Sequence, residues 1–86
     1  MPHISSFFGI LIRMFYNEHN PPHFHAEYQG QRGVFDLDGN LIKGTLKSKT
    51  AQQLIKRWAI IHKPELERNW ANIQQGAQLN KIAPLD

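Results

Sequence analysis

Eighty-six residues and 10.0 kDa leave room for one small domain, whose folded form buries only about 60% of the surface exposed by the unfolded chain. With 41% apolar and 20% charged residues, the chain is expected to fold rather than stay disordered. The absence of cysteine excludes a disulfide framework, a thiolate metal site and a cysteine nucleophile.

No apolar run approaches the roughly 18 residues of a membrane span. The stretch Met1 to Ser6 lacks the cationic start of a secretory signal, so a cytoplasmic protein without membrane contact is expected. The net charge of +3 is unevenly spread. From Gly39 to Pro64 there is no acidic residue, while Lys43, Lys47, Lys49, Lys56, Arg57 and Lys63 fall in that stretch. A basic segment in a mildly acidic frame points to an anionic partner, nucleic acid or an acidic protein.

In chain order, Phe7 to Tyr16 is aromatic and β-branched and is read as one strand, apolar on nearly both faces. Asn17 to Pro22 breaks it, because two prolines cannot serve a central ladder. His23 to Gln29 then alternates: Phe24, Ala26 and Tyr28 fall on one face, His23, His25 and Glu27 on the other. Gly30-Gln31-Arg32-Gly33 reads as a turn into a strand Val34 to Leu37. Asp38-Gly39-Asn40 is a further turn, and Leu41-Ile42-Lys43 a short last strand. This predicts an antiparallel meander of three or four strands over about residues 7–43.

Two helices are expected over about residues 48–76. Ala51, Leu54, Ile55, Trp58, Ile61 and His62 recur at helical spacing. Ser48 or Thr50 can cap the first helix, with Gln53 completing a capping box on Thr50. Pro64 ends that helix and opens the next; Leu66, Trp70, Ile73 and Ala77 extend the apolar stripe until Gly76 stops it. The tail, residues 79–86, carries Leu79, Ile82 and Leu85 and is expected to fold back on the sheet. Residues 1–86 thus read as one α+β domain with helices on one face of the meander. Trp58 and Trp70 are expected as core anchors.

His19, His23, His25 and Glu27 form the first candidate cluster. Two imidazoles and a carboxylate suit a divalent metal such as zinc, manganese or iron, and equally suit metal-free acid–base chemistry. The proline-stiffened loop can bring His19 or Glu18 to the end of the row. His-x-His with a nearby glutamate resembles the metal motif of cupin barrels, but the chain is too short for that barrel. The His-x-His-x-His of histidine-triad hydrolases fails at Glu27. Lys49, Lys56, Arg57 and Lys63 form the second candidate, a basic row two helical turns in repeat that would contact an anion.

The chain also resembles the domain of unknown function 4160 family. The likeness lies in Ile4-Ser5, Phe7, Gly9-Ile10 and Ile12-Arg13-Met14, then Tyr16 and His19-Asn20-Pro21-Pro22-His23-Phe24-His25-Ala26. Trp58, Asn69-Trp70, Ile82 and Pro84-Leu85 complete it. The resemblance implies no catalytic residue. It implies a small protein encoded beside another small protein, in an arrangement similar to a toxin–antitoxin pair. Two readings therefore stay open. One is a regulatory protein that binds a small protein partner, its own copy or nucleic acid. The other is a small metal-dependent hydrolase or nuclease.

Overall fold

The computed structural model describes residues 3–86. Met1 and Pro2, which open the segment read above for a secretory signal, lie outside the described residues. The architecture is α+β, as expected, with five strands rather than three or four. They are β1 (His3–Phe7), β2 (Ile10–Arg13), β3 (His23–Tyr28), β4 (Gln31–Asp36) and β5 (Leu41–Gly44). All pair antiparallel with their chain neighbours in the order β1-β2-β3-β4-β5. Two helices follow, α1 (Lys49–Ile61) and α2 (Lys63–Gln75).

The extra strand, β1, is built from His3 to Ser6, which precede the apolar run read as one strand, and from its first residue, Phe7. The run does not continue as one strand to Tyr16: it turns at Phe8-Gly9, with Phe7 opposite Ile10, and its strand ends at Arg13. Both turn residues have positive φ, 50° at Phe8 and 80° at Gly9. A two-residue turn of this hand matches the twist of the strands it joins. Phe7 and Ile10 then both face the core, which a single strand would forbid because their parity differs. The next turn is also displaced from its expected place. Gln29 and Gly30, at φ 50° and 77°, make the β3–β4 hairpin, and Arg32 and Gly33 lie within β4. Gly33 serves there by being small: a methyl group would sit 2.9 Å from side-chain carbons of both Leu41 and Phe35.

One sheet face carries Ile10, Ile12, Phe24, Ala26 and Phe35, all buried. Against it lies α1, whose Ala51, Ile55, Trp58 and Ala59 are buried. Ser48 caps α1, its hydroxyl accepting from the Ala51 N–H at 3.1 Å; Thr50 lies inside the helix. In α2, Pro64 occupies the first turn and Gly76 closes the helix at φ 70°. Leu66, Asn69, Trp70 and Ile73 are its buried residues. Trp58 and Trp70 are core residues as expected, 0% and 7% exposed.

The tail runs along the helices and the β1 edge rather than across the sheet. Asn69 grips it with both ends of its amide, accepting from the Asn80 N–H and donating to the Asn80 carbonyl, each at 2.9 Å. Ile82 donates its N–H to the Ile4 carbonyl at 2.8 Å, so the tail closes part of the β1 edge. The β5 edge is different. All four of its residues are exposed, and among the described residues its backbone pairs with β4 alone.

Candidate functional site

Helices and tail occupy one face of the sheet. On the other face the register sets Arg13, His25, Val34 and Lys43 in one row across four strands, with Leu11, Glu27 and Arg32 in the next. Alternation along β3 places His23, His25 and Glu27 on this face, half-buried, while Phe24 and Ala26 point into the core.

The row of three divides. Glu27 turns to the arginine beside it: Arg13 donates from Nη1 to Glu27 Oε1 at 2.9 Å, and Arg32 Nε lies 3.8 Å from the same oxygen. Arg13 thus finds the carboxylate that a half-buried guanidinium requires. His23 and His25 turn instead to Glu18, from the loop before β3. Its Oε1 lies 2.6 Å from His25 Nε2 and 3.3 Å from His23 Nε2. Donor atoms of Glu18, His23 and His25 all lie within 4.8 Å of one another. Aromatic neighbours hold the rings. His23 sits 5.3 Å from Trp70 and His25 4.7 Å from Phe15, centroid to centroid.

His19 joins Glu18, His23 and His25 in lining a depression of about 330 Å³, together with Ile42 and Lys43. A second depression, about 280 Å³, lies over Arg13, Phe15, His25, Glu27 and Arg32. His25 is common to both.

Burial opposes ionisation of Glu18, but hydrogen bonds from His25 and His23, reinforced by their charge, outweigh it and hold the carboxyl below its ordinary 4.5. A carboxyl lowered by folding stabilises fully above its unfolded value and loses that contribution as pH falls through the lower, folded one. Glu18→Gln is therefore expected to cost about 1–2 kcal/mol at pH 6. The difference from wild type should shrink in acid below 4.5. Urea denaturation at a series of pH values checks this; a gap that widens in acid contradicts it.

The basic row is less uniform in space than in sequence. Lys49, Lys56 and Arg57 lie exposed on α1, but Lys63 opens α2. Lys63 pairs with Asp38 at 2.5 Å, and this hydrogen bond, with the Asp38 charge, raises its pKa above 10.5. Lys56 donates to Asn40 Oδ1 at 2.5 Å. These two cations fasten the β4–β5 turn to the helices. Among the described residues, Lys49 and Arg57 make no side-chain hydrogen bond or ion pair.

Glu18 is the member of the cluster that strand alternation does not reach. Its signal is the pair Pro21-Pro22, which turns the chain back so that a residue five before His23 faces it. Trp70 beside His23 has no local signal, since α2 brings it from far along the chain.

The model of a family described as "Domain of unknown function (DUF4160)" matches residues 9–71, most of the chain, and the chain belongs to that family. No curated protein and no solved structure matches it. No described helix is long and apolar enough to cross a membrane.

Proposed function

We propose that this member of the DUF4160 family works by binding, as one half of a two-protein regulatory module. Its open β5 edge would receive a strand of a small acidic partner. The observation that carries this reading is the asymmetry of the sheet edges: the tail bonds to β1, while among the described residues β5 pairs with β4 alone. An edge strand offers a row of unpaired N–H and C=O groups, and adding a strand is a common recognition mode. Leu41 and Ile42, 37% and 49% exposed, would supply the apolar contacts.

Charge selects the occupant. Lys43 and Lys47 flank the edge, and no carboxylate lies between Gly39 and Pro64. Pairing β5 with a second copy would bring these lysines together, whereas an acidic strand would be attracted. Duplex nucleic acid fits less well, because Lys56 and Lys63 already hold Asn40 and Asp38. A second reading, a small metal-dependent hydrolase or nuclease, is favoured by the convergence of Glu18, His23 and His25.

The test is co-expression with the small protein that the family resemblance expects to be encoded beside this chain's gene, followed by purification and titration. A complex is expected whose Kd rises at least tenfold in a K43E/K47E variant, with an unchanged melting temperature. Ile42→Pro should weaken it as well. No complex, or one indifferent to both variants, overturns the reading. So does binding to duplex DNA that weakens steeply with salt while the protein partner is ignored.

A further inference from the structure

We propose that Glu18, His23 and His25 bind a divalent transition-metal ion, zinc in the first instance. This ligand set replaces the Glu27 of the strand row by a residue from the preceding loop. Metal binding stands apart from the strand-addition reading and can hold whether or not β5 receives a partner.

The argument begins with His23. Its Nδ1 lies 2.9 Å from the carbonyl oxygen of Pro21. A carbonyl only accepts, so Nδ1 carries the hydrogen. In the neutral ring Nε2 then presents a lone pair. That lone pair faces Glu18 Oε1 at 3.3 Å, a second acceptor. Two acceptors facing each other call for a cation between them, either a proton or a metal ion. The Pro21 contact is also the one by which metal-bound imidazoles are commonly oriented: the nitrogen away from the metal donates to a carbonyl or carboxylate.

His25 supplies the second imidazole. Its Nε2 points at the same Glu18 oxygen from 2.6 Å. Ligands around a zinc ion at bond lengths of about 2.0–2.1 Å stand roughly 3–3.5 Å apart. The His23–Glu18 separation already meets this, the His25–Glu18 contact must lengthen, and the donor nitrogens of the two histidines lie within 4.8 Å of each other. The donors are also preorganised. Trp70 lies against His23, and Phe15 against His25. The Trp70 indole in turn donates to Asn20 in the same loop, at 3.3 Å.

The chemistry of the donors selects the ion. Two imidazoles and one carboxylate suit zinc, cobalt or nickel, and not calcium or magnesium, which prefer all-oxygen shells. Three protein ligands leave a fourth position, which opens on the depression lined by His19 and Lys43. A site of this form can hold a water or an anionic ligand.

Zinc and cobalt ions alone are the probes, added to metal-free protein at neutral pH. One equivalent of zinc is expected by calorimetry. Cobalt should give the visible bands of a low-coordinate site, displaced by zinc. Glu18→Gln, His23→Ala and His25→Ala should each raise the zinc Kd at least tenfold. Glu27→Gln should leave it within about twofold, because Arg13 holds that carboxylate away. Histidine-ring NMR of the unaltered chain gives a readout that needs no variant: zinc should shift His23 and His25 before His3 and His62. The proposal is overturned if folded wild-type protein takes up neither ion at about 0.1 mM. It is equally overturned if Glu27→Gln weakens zinc as much as Glu18→Gln does, or if all the histidines shift together.

Discussion

Trp58→Ala is expected to lower the unfolding free energy by about 3–5 kcal/mol, the range for deleting a large aromatic from a well-packed core. The ring is fully buried and joins three parts of the structure. It lies 5.4 Å from Phe7 on β1 and 5.6 Å from Phe24 on β3, between centroids. Its indole donates to the Ala83 carbonyl in the tail at 2.8 Å. Alanine therefore leaves a void and also orphans a carbonyl that holds the tail in place. A domain of this size has only about 5–10 kcal/mol in hand, so the loss is a large fraction of the total. Trp58→Phe keeps most of the volume and loses the hydrogen bond, and should cost clearly less. Urea denaturation of both variants checks this. Equal losses would mean that the tail contact, rather than the packing, dominates.

Gly39→Ala is expected to cost about 2–3 kcal/mol, through backbone strain and a collision together. Gly39 has φ +85°, and a methyl group there would sit 2.6 Å from the Lys56 Cα of α1. The turn presses on the helix backbone, which cannot move aside like a flexible side chain. Gly30→Ala separates the two causes. Gly30 also has positive φ, 77°, but nothing lies within 4 Å of the added methyl. It should show the strain alone, about 1 kcal/mol. If the two variants cost the same, the close approach of turn and helix is not what holds Gly39. The pairing of Lys56 with Asn40 and Lys63 with Asp38 makes this turn the joint between sheet and helices.

Much of this fold is legible in the residues themselves. The period-two pattern of His23 to Tyr28 places the core face of β3, and the helical stripe from Ala51 to Trp58 places that of α1. Pro64 and Gly76 mark helix ends because their backbone chemistry permits little else. The first hairpin is hidden for a physical reason. Its turn residues, Phe8 and Gly9, include a large aromatic at positive φ, and the run from Phe7 to Ile12 has no polar break. The visible trace is Gly9 alone. The candidate site is half legible. Alternation puts His23 and His25 on one face, and it puts Glu27 with them. Only the cross-strand register, which sets Glu27 between Leu11 and Arg32 and next to the Arg13 row, shows that its carboxylate is drawn to Arg13. The approach of Glu18 depends on the path of a loop, which side-chain periodicity does not encode.

The basic stretch divides in the same way. The positive stretch from Gly39 to Pro64 is contiguous in sequence, but its cations divide between two tasks in space. Lys56 and Lys63 fasten the β4–β5 turn, while Lys43 and Lys47 border the bare strand. A charge count along the chain does not separate these roles; the contacts of each lysine do.

Amide hydrogen exchange across β5 tests the binding account most directly, measured with and without the proposed small acidic partner. Strand addition predicts that amides within Leu41–Gly44 slow by at least tenfold in the complex, while those of α1 and α2 change little. Slowing confined to the helices, with β5 exchanging as fast as in the free protein, would contradict it.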